Sequence, residues 1–132
     1  MIESGGGVLP PVLSCGEPPY DIQVELIFAG GDMAAVVTGG TRPHIGAVAL
    51  AEPAGAAHPV TGIQGQLAEL SVSTITGYGH RDAVIAEMFA GRLCEKYGVN
   101  VCAAAGVHID GAGPEEIAKL MENAKALLAQ LE

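Results

Sequence analysis

The stretch that most limits how this chain can fold is VNVCAAAGVHID, residues 99–110. It reads as a strand, and it carries almost no polar side chain until His108 and Asp110. A strand with so little polarity has no face for water, so both of its faces are expected to be covered. Other segments of the chain alternate in polarity instead.

Such segments lie upstream. In YDIQVELIF (20–28), Tyr20, Ile22, Val24, Leu26 and Phe28 alternate with Asp21, Gln23 and Glu25, the period of a strand with one buried face. Gly30-Gly31 makes a tight turn into DMAAVVTGG (32–40), the expected hairpin partner. HIGAVALAEP (44–53) completes a three-strand meander, and LAELSVSTITG (67–77) is a fourth strand beyond a Gly/Pro/Ala loop at 53–65. The period then changes. Val84, Ile85, Met88, Phe89, Leu93 and Tyr97 form a helical stripe over 81–97, with Asp82 in the first turn and Gly98 where a C′ glycine belongs. Pro114, Glu115 and Glu116 open a second helix, whose stripe is Ile117, Leu120, Met121, Ala124, Leu127, Leu128 and Leu131.

The order β-β-β-β-α-β-α indicates an α+β fold, a mostly antiparallel sheet with both helices packed on one face. At 132 residues the chain is one domain, able to bury roughly 68% of its unfolded surface. Residues 1–19, with three successive glycines and two Pro-Pro pairs, read as an N-terminal arm or loop, which leaves 20–132 as the single α+β domain.

Composition removes several functions. The charge of −9, with only six lysines and arginines, leaves no basic stripe for phosphate backbones, so nucleic acid is not an expected partner. No run of 18 apolar residues and no leader pattern is present, so the expectation is a soluble cytoplasmic protein, without membrane attachment. Cys15, Cys94 and Cys102 show no CxxC spacing, which fits reduced thiols. The four histidines contain no i, i+4 pair and no HExxH, so no metal site is expected, and His58 reads as an exposed loop residue. No nucleophile elbow, P-loop or dinucleotide fingerprint occurs.

Polar groups meet glycine in three places. In TGGTRPHIG (38–46), Gly39 and Gly40 can turn successive amides toward an anion, with Arg42 and His44 beside them. In TGYGHRDA (76–83), a strand hands over to a helix N-terminus where Gly77 and Gly79 permit close approach and His80 and Arg81 add charge. At the end of 99–110, His108 and Asp110 share a face with Gly106, and a carboxylate there would fix the imidazole tautomer. Each place alone is also explained by solvated turns and helix caps. Strand-to-helix ends cluster on one edge of such a layer, so the three together outline a site for an anionic small molecule such as a phosphate ester.

Three blocks, GGTRPHIGAVAL, GYGHRDAVIAEMFAGRL and VCAAAGVHIDGAGPEEIAKLMENA, resemble in this order the small D subunit encoded beside UbiD-type hydroxyarylic acid decarboxylases, the LpdD-like prenylated-flavin chaperone family. The resemblance covers about residues 20–131. It implies a fold similar to that of proteasome-assembly chaperones. It also implies a non-enzymatic accessory protein that binds or delivers prenylated flavin mononucleotide (or FMN) to a UbiD-type decarboxylase large subunit. Arg42, Pro43, His44, Gly79, His80, His108 and Asp110 fall in the matching blocks and are implied ligand contacts, with no catalytic role. An open edge of the meander would serve a homodimer. Two alternatives stay open: a small hydrolase or lyase using His108 with Asp110 as general base, and a ligand-free assembly module acting through its sheet edge.

Overall fold

A computed structural model describes residues 2–4, 7–9, 11–53, 70–77 and 80–132. Its elements are β1 (Ile2–Ser4), β2 (Gly7–Leu9), β3 (Val12–Cys15), β4 (Ile22–Ala29), β5 (Asp32–Gly40), β6 (Ala47–Pro53), β7 (Leu70–Thr76), α1 (His80–Tyr97), β8 (Val101–His108) and α2 (Pro114–Leu131). The expected loop at 53–65 and His58 lie outside the described residues, save Pro53, which ends β6.

The fold is α+β, with a mixed, mostly antiparallel six-stranded sheet in the order β3-β4-β5-β8-β6-β7. β4 and β5 form the expected hairpin, Ile22 opposite Gly39 through Ala29 opposite Asp32. The expected meander does not continue. β8 inserts between β5 and β6, parallel to the first and antiparallel to the second. The reason lies in side-chain polarity: β8 is the strand least able to face water, and the centre of the sheet is where water is least present. A second difference concerns the N-terminal segment. Val12–Cys15 pairs antiparallel with β4 and supplies one sheet edge, so this part of the glycine/proline region is a strand rather than a free arm. β1 and β2 pair separately with each other.

One face of the sheet carries the core. Val24, Val37, Ala105 and Ala47 lie in one row across four strands, and Leu26, Ala35, Ala103 and Ala49 in the next, all buried. Small alanines in β6 and β8 let α1 approach closely, and Phe89, Ile85 and Leu93 fill the space above them. The buried stripe of α1 also includes Ala83, Ala86, Ala90 and Cys94, while Val84 is exposed. A stripe drawn through large apolar residues alone was therefore rotated away from the true contact face. α2 covers β3 and β4 with Leu120, Ala124, Leu127, Leu128 and Leu131, as its pattern requires. Tyr97 ties the helices by donating its hydroxyl to the Leu131 carbonyl at 2.6 Å. Gly98 ends α1 with φ of 67° and donates its amide to the Cys94 carbonyl.

No described helix lies on the opposite face. There Val36, Ala104, Val48 and Ile75 form one row and Ala34, Cys102 and Leu50 the next, with no charged side chain among them. Among the described residues, only one face of β8 is thus fully covered.

Candidate functional site

After Gly40 the chain must cross the end of β8 to reach β6, and it does so in the segment 41–46. Three backbone bonds pin that crossing. The amides of Thr41 and Arg42 both donate to the His108 carbonyl, at 2.8 and 3.2 Å, and Gly46 donates to the Ala105 carbonyl at 2.8 Å. The crossing is so close that a Cβ on Gly106 would overlap the backbone carbonyl of His44. Gly40, with φ of 81°, is packed in the same way against the His108 carbonyl. Gly40 therefore serves the crossing, while Gly39 admits the backbone of Asp21 at the start of β4. The Gly40 amide donates to Asp21, so the amides of 40–42 are all used within the fold, and none forms the anion cradle expected of this turn. The room beside Gly106 is likewise filled, by the backbone of His44.

What the crossing does present is side chains. Arg42, Pro43, His44 and His108 line an open hollow of about 510 Å³. The rings of His44 and His108 meet edge to face with centroids 6.2 Å apart. His108 Nε2 lies 3.0 Å from Asp110 Oδ1, and Arg42 Nη1 donates to the same oxygen at 3.3 Å. Two of the three expected places thus come together. The third, the start of α1, reaches the site through a residue that the sequence marks only as a helix-dipole acid.

That residue is Asp82. It is 4% exposed, the one buried charged group among the described residues. Its Oδ1 accepts the Val107 amide at 3.0 Å, and its Oδ2 lies 3.0 Å from His44 Nε2. Gly46 is glycine because any Cβ there would overlap this carboxylate. Asp82 therefore fastens α1, β8 and the crossing segment at one point. His44 Nδ1 faces the Arg42 carbonyl at 3.0 Å, so both nitrogens of this ring are engaged and its edge is held still. Nothing in the local pattern GHRDA separates a buried bridging Asp from an ordinary first-turn acid, which is why sequence reasoning passes over it. Arg81 is exposed and does not line the hollow. His80 begins α1 two residues before Asp82, but its side chain and Gly79 lie outside the described residues.

Chemically, the hollow offers one guanidinium, two imidazoles and a proline surface. No hydroxyl or thiol stands among its described lining residues. The Thr41 hydroxyl, close by in sequence, donates to the His108 carbonyl at 3.4 Å. The arrangement offers charged and polar contacts to a small guest. No described group of three or more His, Cys, Asp or Glu side chains is placed to hold a metal ion.

A sequence profile of the prenylated flavin chaperone LpdD-like domain matches residues 16–132. The chain belongs to the LpdD-like prenylated flavin chaperone family. The match begins within the segment after β3 and takes in every residue of the hollow. Comparison with the curated proteins finds no match. Among solved structures, the fold is similar to a chain in the crystal structure of a novel chaperone complex for yeast 20S proteasome assembly. That likeness has a TM-score of 0.60 at 12% identity and covers 92% of this chain and 96% of the other. At that identity the likeness is one of fold. Membership of the family assigns a chaperone or accessory role, and no described helix is long and apolar enough to cross a membrane.

Proposed function

We propose that this chain is a carrier for prenylated flavin mononucleotide, holding the flavin phosphate at Arg42 and His108 and releasing the cofactor to a UbiD-type decarboxylase large subunit. The observation that carries this reading is the convergence of Arg42, His44 and His108 on one hollow in a chain whose family is that of a flavin chaperone. The residues fit such a guest. A guanidinium and an imidazole are forked and single donors suited to a phosphate monoester. Pro43 and the edge of His44 offer a flat, largely apolar flank to a ring system. The volume falls in the ordinary range for small-molecule sites, while the open mouth favours exchange over retention. The flavin is cargo here, and its own chemistry is exercised on the decarboxylase. This chain's residues hold and release it.

The test is titration of the protein with reduced and prenylated FMN, followed by fluorescence or calorimetry. Arg42→Ala and His108→Ala are each expected to weaken binding about ten-fold, the loss of one charge-assisted contact. Equal affinity in wild type and both variants would defeat the reading. Transfer is checked by incubating the loaded protein with the apo decarboxylase and following the flavin spectrum.

A second copy of the chain is the proposed occupant of the uncovered sheet face. Six strands spaced ~4.8 Å apart and about seven residues long present roughly 650 Å², close to the ~800 Å² per partner of a standard interface. The central positions on β5, β8 and β6, Ala34, Val36, Cys102, Ala104, Val48 and Leu50, are uncharged, which favours a self-complementary contact in an acidic protein, and Glu25 on β4 flanks Val36 at their border. Leu50→Glu is expected to convert a dimer to a monomer in sedimentation equilibrium. A wild-type monomer at micromolar concentration would refute this face as an interface. The edge of a meander, the interface expected from sequence, is replaced by β3 and β7 as the sheet's edges.

A further inference from the structure

The two carboxylates near the hollow are built differently, and the difference has a functional meaning. Asp82 is buried and held by a backbone amide and His44, so it has nowhere to go. Asp110 is 69% exposed at its side chain, and among the described residues only Arg42 and His108 hold it. It sits in the turn after β8, next to Gly111 with φ of 68°, outside any element that would fix its backbone. A single oxygen, Oδ1, lies 3.3 Å from Arg42 Nη1 and 3.0 Å from His108 Nε2. An oxygen shared by a guanidinium and an imidazole is where one oxygen of a bound phosphate belongs.

We propose that Asp110 is a resident competitor for the phosphate position, a carboxylate that swings out when a phosphomonoester enters and swings back to hasten its departure. This rests on the reading of Arg42 and His108 as the phosphate contacts. The exchange is easy because exposed ion pairs contribute little, and only one side chain has to rotate. A phosphate monoester carries about −1.5 to −2 charges against one on the carboxylate, so it wins the contest when present. The carboxylate stays nearby, and its repulsion keeps the bound state shallow. A carrier that must give its cargo to another protein needs that shallowness, since tight binding would strand the flavin.

The prediction runs opposite to that for an ordinary ligand contact. Asp110→Asn and Asp110→Ala should bind FMN about three- to ten-fold tighter than wild type, mostly through slower dissociation. The effect should shrink as salt is raised and vanish for riboflavin, which has no phosphate. The experiment titrates FMN and riboflavin into wild type, Arg42→Ala, Asp110→Asn, Asp110→Ala and Arg42→Ala/Asp110→Asn, with stopped-flow release rates. Tighter FMN binding in both Asp110 variants, unchanged riboflavin binding and loss of the gain in the double variant establish the competitor. If Arg42→Ala weakens FMN binding while the Asp110 variants bind equally or more weakly, the phosphate site stands and Asp110 is an ordinary positioning residue. If Arg42→Ala and wild type bind alike, the site reading fails and the competitor falls with it. Unaltered thermal melts of the Asp110 variants, expected from their exposure, confirm that the comparison is between folded proteins.

Discussion

Removing the Asp82 carboxylate should loosen the site and the fold together. In Asp82→Ala the Val107 amide, buried in the last turn of β8's hydrogen-bonding run, loses an ionised acceptor at 3.0 Å and gains none. A buried bond to a charged group contributes about 1.5–3 kcal/mol, and the orphaned amide adds its own desolvation cost. The His44 contact is half-exposed and is discounted to less than about 1 kcal/mol. The total is about 3 kcal/mol, which for a chain of this size lowers Tm by roughly 10 °C. Asp82→Asn keeps an oxygen for Val107, and its amide can donate to His44 Nε2 while Nδ1–H donates to the Arg42 carbonyl. Its loss should therefore be near 1 kcal/mol. Chemical denaturation followed by circular dichroism gives both values. Gly46→Ala sharpens the test, because its Cβ would overlap the Asp82 carboxylate. That substitution should be severe in wild type and much milder in the Asp82→Ala background, a non-additivity of at least about 1 kcal/mol. If Asp82→Ala lies within about 0.5 kcal/mol of wild type, or the two substitutions simply add, then Asp82 is not the fastening described.

Gly106→Ala should destabilise by several kcal/mol or prevent folding, since the added methyl meets backbone of His44 rather than a movable side chain; soluble yield and melting temperature read this out. The Cys94 thiol is pushed up by its burial, with Glu52 and Glu95 adding repulsion. It should resist alkylation in the native protein at pH 8 more than Cys15, which is only partly buried on the edge strand β3, as peptide mass mapping will show. The same shift has a sign for stability. The folded state keeps the proton longer than the unfolded chain, so the contribution is present below the ordinary thiol range and declines as pH rises above about 9. A denaturation midpoint unchanged between pH 8 and 10 in wild type relative to Cys94→Ala would contradict it.

Most of the elements were legible in order along the chain. The alternation in 22–28, the glycine turn at 30–31 and the amphipathic stripe of 114–131 are local patterns, and each appears where its period places it. The grouping of Arg42, His44, His108 and Asp110 also follows from recognising strand ends that must share an edge. The glycines were misread in purpose. Gly39, Gly40 and Gly106 have the same one-letter signature whether they cradle an anion or admit a neighbouring backbone, and here they do the second. Val12–Cys15 was hidden because its turn-rich flanks outweigh a four-residue strand whose partner, β4, supplies the reason for it to be extended.

Periodicity and punctuation act over a few residues, so the chain alone settled where β4, β5 and α2 lie and which faces of β4 and α2 turn inward. Which strands lie beside β8 is another matter. Placing β8 between β5 and β6 joins residues some 50 to 70 positions apart, and that choice gives the least polar strand a neighbour on each side. The same long-range closure laid residues 41–46 over the end of β8 and turned a first-turn aspartate into the buried bolt of the site.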